Sequence, residues 1–243
     1  MQSIEQASPF HFFLVHPNIV LLEWHEAPSD TLLLQLVSFR NELLNKFETI
    51  YQITQGYRSL MLYHQHKIER VDVYNEELLS VFGAISNKLS ISEKKWEIPV
   101  CYDKQLAMDL APLADALKLT IQELVELHSS VTYRVYFIGF LPGFLYLNGL
   151  PKKLEYARKN QPSARVEAGS IAIGGKQTGI YPSASPGGWH IIGRTPYPLF
   201  RPKMKHPCFA QAGDLIQFKS ISLEEFNELA LQSKNNTLSI QPL

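Results

Sequence analysis

The segment Gly174–Thr195, GGKQTGIYPSASPGGWHIIGRT, gathers six glycines and two prolines around polar and aromatic side chains. Lys176 and Arg194 offer cations, Gln177, Thr178, Tyr181 and Ser185 offer donors and acceptors, and Trp189 offers an apolar wall. Such a mixture suits one small polar ligand in a concave site. Glycine accepts positive φ and lets a ligand approach the backbone, while proline fixes φ and removes a donor. Pro186-Gly187-Gly188 therefore reads as a loop of defined shape. The structural alternative is that these glycines mark the corners of a β-barrel.

Nucleotide motifs fail here. A Walker loop requires glycine where Ser170 stands and Ser or Thr where Gln177 stands. A dinucleotide fingerprint requires a strand, a turn and a helix, whereas QTGIYP continues extended. No G-x-S-x-G elbow occurs, and neither Cys101 nor Cys208 adjoins a histidine in sequence, which leaves covalent catalysis unsupported. His64 and His66 share a strand face without a third ligand at a telling spacing, so no metal site is expected. His128 closes a capped helix, where the helix dipole favours its cation; a structural role and a catalytic one are both open to it.

The elements that must position these residues fall into two textures. Apolar runs FHFFLV and NIVLLEW read as strands, followed by a helix behind a Ser29/Asp30 cap with Leu33, Leu36, Val37, Phe39, Leu43, Leu44 and Phe47 on its apolar face. TIYQIT and RSLMLYH read as two more strands, then comes a helix with Leu78, Leu79, Phe82, Ile85 and Leu89 on one face, then the strand KWEIPVCY. The order β-α-β-β-α-β is a ferredoxin-like arrangement. After a domain end near Ser92, two helices (MDLAPLADALKL, and TIQELVELH with a Thr120/Glu123 capping box) precede five strand candidates, VTYRVYFIGF, AGSIAIG, QTGIYP, WHIIGRT and DLIQFKSI. A closing helix carries a Ser222/Glu225 capping box. Many short strands between turn residues predict a closed barrel or a sandwich. The expected fold class is α+β, with domains over 1–92 and 93–243.

Lys+Arg and Asp+Glu are equal at 23 each over 243 residues, so no global field draws the chain to nucleic acid or to an anionic membrane. No run approaches the roughly 18 apolar residues of a membrane span. Two distant cysteines make no disulfide framework, and the N-terminus lacks a basic n-region; both point to a cytoplasmic protein.

Three blocks, RVYFIGFLPGFLYLNGLP (Arg134–Pro151), VEAGSIAIGGKQTGIYPSASPGGWHIIGRTPYPLF (Val166–Phe200) and QAGDLIQF (Gln211–Phe218), resemble the family of the 5-oxoprolinase B component, PxpB, also called KipI or allophanate hydrolase subunit 1. The resemblance implies a ferredoxin-like domain followed by a cyclophilin-like β-barrel. It implies a heteromeric complex with the C component of 5-oxoprolinase, a related barrel like allophanate hydrolase subunit 2, and with the A component. That complex opens the lactam 5-oxoproline to L-glutamate with ATP and Mg held by the complex. The resemblance also implies two alternatives: membership of a related amide or urea-type hydrolase, and non-catalytic inhibition of a sensor histidine kinase. A lactam needs its developing carbonyl charge held by fixed donors. Under this resemblance His128 and Arg194 become the catalytic candidates. Lys176, Gln177, Thr178, Tyr181, Ser185, Gly187 and Gly188 contact substrate, while Phe140, Pro142, Phe144, Tyr146 and Trp189 wall the site; Phe140, Phe144 and Tyr146 have the barrel core as an equal structural alternative. Arg194 has a structural alternative, pairing with a carboxylate such as Asp214. Glu167 departs from the family pattern, standing where proline is usual.

Overall fold

The computed structural model describes residues 8–85, 93–235, 238 and 242–243. Leu89 and the boundary residue Ser92 lie outside them. The chain divides into two compact units, Met1–Ser92 and Glu93–Leu243.

In the first unit, strands β1 (Phe10–His16) and β2 (Ile19–Trp24) form a hairpin, followed by helix α1 (Asp30–Lys46), β3 (Ile50–Gln55), β4 (Ser59–His64) and helix α2 (Val71–Ile85). Ser29 caps α1 by accepting from the Leu32 N–H at 3.1 Å, satisfying one of the helix's orphan donors. The sheet order is β1-β2-β4-β3, antiparallel throughout, with the split βαβ unit running from β2 through α1 to β3. The edge position that a strand after α2 would occupy in a ferredoxin-like sheet is held by β1. KWEIPVCY is thereby freed for the second unit, which corrects its place in the β-α-β-β-α-β reading. Period-2 burial on β2 and β4 turns Leu22, Trp24, Leu60 and Leu62 onto α1 and α2. Each such side chain contributes about 1.5–3 kcal/mol over an exposed one.

The second unit is a closed barrel in the order β10-β7-β6-β13-β5-β12-β9. Its strands are β5 (Lys95–Cys101), β6 (Thr132–Ile138), β7 (Leu145–Asn148), β9 (Ser170–Gly174), β10 (Gln177–Ile180), β12 (His190–Arg194) and β13 (Leu215–Ile221). Closure removes the sheet edges. Helices α3 (Leu110–Leu117), α4 (Ile121–Ser129) and α5 (Leu223–Lys234) complete the unit, together with a two-stranded ribbon of β8 (Ser163–Val166) and β11 (Ser185–Gly187). Thr120 and Glu123 form the reciprocal capping box of α4. Strand β9 is buried on both faces. Ile171 and Ile173 fill the barrel, while Ala172 faces outward beneath a separate cluster of Phe144, Tyr181, Trp189 and Ile191. That outer cluster is where the glycine-rich segment does its packing.

Candidate functional site

The glycines answer the question their density raises. A Cβ on Gly174 would lie 2.6 Å from the Trp189 ring, and one on Gly179 would lie 2.8 Å from the Leu145 carbonyl oxygen and 3.0 Å from Trp189. Bare backbone on β9 and β10 thus lets an indole lie flat against the barrel's outer wall. Phe144 packs edge-on to Trp189 and to Tyr181, with centroids 5.6 and 5.0 Å apart, the favoured geometry for aromatic quadrupoles.

Above this floor opens a cleft of about 380 Å³. Phe140, Phe144, Tyr146, Tyr181, Gly187, Gly188 and Trp189 line it, so half of the residues expected at a ligand site do converge. Three further lining residues, Arg158, Lys159 and Pro162, come from a loop absent from that expectation. This loop is pinned at several points. Tyr156 and Gly175 exchange backbone hydrogen bonds of 3.1 and 2.7 Å, the Lys159 N–H donates to the Gly188 carbonyl at 2.8 Å, and His190 Nε2 meets the Ala157 carbonyl at 2.9 Å. Lys159 Nζ lies 2.7 Å from Asp109 Oδ2, which also accepts from the Ile191 N–H at 2.7 Å. The Lys159 charge is therefore matched. The Arg158 guanidinium stands 5.5 Å from the Trp189 ring centroid and has no acidic partner among the described residues. Burial pushes the Tyr146 and Tyr181 hydroxyls above the usual tyrosine range, with Arg158 pulling both back, so each stays a protonated donor at neutral pH.

The other sequence candidates lie elsewhere. His128 is completely buried inside the barrel. Its Nδ1 meets the Tyr102 hydroxyl at 2.8 Å, its Nε2 meets Thr178 Oγ1 at 2.9 Å, and its ring stacks on Phe218. Thr178 Oγ1 donates onward to the Ala172 carbonyl at 3.0 Å, so it must accept from Nε2–H, and Nδ1 accepts from Tyr102. Every polar atom of the neutral ring is satisfied, and burial pushes the His128 pKa down to about 3. Neither His128 nor Thr178 reaches the cleft. Arg194 Nε donates to the Ala168 carbonyl at 2.8 Å, with its guanidinium 4.0 Å from Glu167. It is thus held by structural partners, though not by Asp214, which accepts from Trp96 Nε1 at 2.9 Å. Lys176 and Gln177 sit at the β9–β10 turn, Ser185 opens β11 with its hydroxyl on the Pro186 carbonyl, and Pro142 belongs to the β6–β7 turn. Glu167, in place of the family's proline, takes a 2.6 Å ion pair with Arg165.

The signal for Arg158 and Lys159 was present as a basic pair in a proline-containing loop, YARKNQPSARV, directly before the glycine block. The family profile described as carboxyltransferase domain, subdomain C and D, matches residues 11–210. The chain belongs to this family. It is 39% identical over 143 residues to the 5-oxoprolinase B component of Bacillus subtilis, covering 59% of this chain and 60% of that protein. It is 44% identical over 151 residues to the 5-oxoprolinase B component of Escherichia coli, covering 62% of this chain and 66% of that protein. These relatives bear out the resemblance carried by the three blocks, while the matched region spans under two thirds of their length. The Kluyveromyces lactis urea amidolyase structure superimposes with a TM-score of 0.77 over 97% of this chain and 16% of that one at 17% identity, a likeness of fold. No helix among the described residues is long and apolar enough to cross a membrane.

Proposed function

We propose that this chain is the lactam-binding component of an ATP-dependent 5-oxoprolinase, acting with the A and C components to open 5-oxoproline to L-glutamate. The observation that carries the reading is the pairing of an aromatic cleft with a cation that no acid matches among the described residues, Arg158 over Trp189. A five-membered lactam presents a flat ring for Phe144 and Trp189, a carboxylate for Arg158, and an amide oxygen for the Tyr146 and Tyr181 hydroxyls. Lys159, neutralised by Asp109, orients its loop instead of binding the anion. The aromatic walls exclude water, which strengthens the polar contacts made within them.

Magnesium fits the residues around this cleft poorly. Among the described residues no group of three His, Cys, Asp or Glu side chains could hold a metal ion, and the carboxylate bonded to the Arg158–Lys159 loop from α3's N-terminal side, Asp109, already serves Lys159 and Ile191. In this reading ATP, with its magnesium, is held by the complex.

The test is 5-oxoproline-dependent ATP hydrolysis by the chain co-purified with its companions. Arg158→Gln removes a charge-assisted hydrogen bond of about 1.5–3 kcal/mol, so KM for 5-oxoproline should rise about tenfold to hundredfold with little change in kcat. A well-folded complex without such turnover sinks the reading. An unchanged KM in the variant sinks the role given to Arg158.

A further inference from the structure

The connection between β6 and β7 holds a lining residue of the cleft with a strained backbone. Phe140 has φ +68, a region that bulky side chains avoid. The Leu141 N–H donates to the Gly139 carbonyl at 2.8 Å across it, which makes Phe140 the centre of a positive-φ γ-turn, a rare and strained conformation. The next four residues, Leu141 to Phe144, form a tight turn closed by the Phe144 N–H on the Leu141 carbonyl at 3.0 Å, with Pro142 and Gly143 (φ +85) at its centre. The Gly139 N–H reaches the Phe144 carbonyl at 3.2 Å, and Phe200 closes over Gly143, where an added Cβ would lie 2.8 Å from its own. The surroundings over-determine the strained residue, as its persistence requires.

This strain does not place Phe140 in the core. The residue is 63% exposed, its ring meets Phe144 and Tyr181 edge-on at 5.6 and 6.4 Å between centroids, and it lines the cleft. A glycine at this position would relieve the backbone and lose little burial, yet the chain carries phenylalanine.

We propose that Phe140 is a ligand-clamping residue: the γ-turn holds its ring at the rim of the cleft so that it packs on the flat face of the bound guest and completes an apolar enclosure begun by Phe144 and Trp189. The inference rests on the lactam-binding reading above and adds a contact that only the loaded site makes.

Two variants separate backbone from ring. Phe140→Gly removes both the strain and the ring, whereas Phe140→Ala keeps a Cβ at φ +68 and removes only the ring. The full chain is melted, and 5-oxoproline binding is followed by NMR chemical shift. Phe140→Gly should melt about 2–4 °C above Phe140→Ala, and both should bind 5-oxoproline about threefold to tenfold more weakly than wild type, the range of one aromatic contact. The glycine variant then regains stability relative to Phe140→Ala without regaining affinity. Wild-type affinity in Phe140→Ala, or weakened assembly with the companion components in place of weakened binding, overturns the clamp. So does a Phe140→Gly chain that melts no higher than Phe140→Ala or fails to fold. If wild type itself shows no saturable binding, the lactam-binding reading fails and the clamp falls with it; saturable wild-type binding with unaffected variants fails the clamp alone.

Discussion

Lowering the pH from 6.5 to 4.5 should destabilise the wild-type chain by about 2 kcal/mol more than it destabilises His128→Gln. The fold keeps His128 neutral down to about pH 3, because its ring is fully buried among Tyr102, Thr178, Tyr133 and Phe218. The unfolded chain takes up that proton near pH 6.5. Between those values the unfolded state binds one more proton, so stability falls as pH falls, approaching a slope of about 1.4 kcal/mol per unit. Well above pH 6.5 both states are neutral and the contribution is constant. His64, whose pKa burial also lowers, has the same sign but is present in both proteins and cancels in the comparison. Thermal melts across this window should show the wild type losing roughly 4–8 °C more than the variant. In wild type the ring-proton NMR shift of His128 should stay flat to pH 4.5. Parallel melting curves, or a His128 resonance titrating near pH 6.5, would remove it from the role of a neutral barrel strut and restore it as a proton-transfer candidate.

That outcome bears on what a sequence can disclose. Helix termini were legible because their signals are local: Ser29 and Thr120 cap the helices they were expected to cap. The punctuated strands allowed a closed barrel or a sandwich and the family resemblance selected the barrel, while the aromatic side of the site was legible from the oddity of its glycines. His128 was not, because a histidine at the last turn of a helix looks the same whether that turn faces solvent or the inside of a barrel. Arg158 lines the cleft and Arg194 does not, for a similar reason. Arg194 sits in the most conspicuous block, but at the end of β12 it meets the Ala168 carbonyl and Glu167. Arg158 sits in a plain loop that only long-range pins, Lys159 to Asp109 and Tyr156 to Gly175, bring against Trp189. The different place of KWEIPVCY follows from β1 taking the sheet edge, a choice fixed by hairpin pairing from Phe10–Trp24 to His16–Ile19 and not by any property of the later strand, which pairs with β13.

Gly174→Ala should destroy the cleft although Gly174 does not itself line it. The new methyl carbon would lie 2.6 Å from three atoms of the Trp189 indole, well inside contact distance. The indole has little room to retreat along the wall, since Phe144 and Tyr146 stand edge-on against it at 5.6 and 5.9 Å between centroids. Moving β9 instead would disturb its register with β10 and β12, where Gly174 faces Gln177 and Ile173 faces His190. Overpacking of this kind costs about 1–3 kcal/mol, which lowers the melting temperature by roughly 3–10 °C. Because Trp189 also carries the Arg158 guanidinium, displacing the ring should abolish detectable 5-oxoproline binding along with stability. A double-mutant cycle isolates the cause. In a Trp189→Leu background, which leaves room over β9, Gly174→Ala should cost less than half of its wild-type penalty, whereas a backbone origin would leave the penalty unchanged. Additive penalties would mean that the glycine serves the strand and not the ring, and the account of the glycine-rich segment as a seat for Trp189 would be wrong.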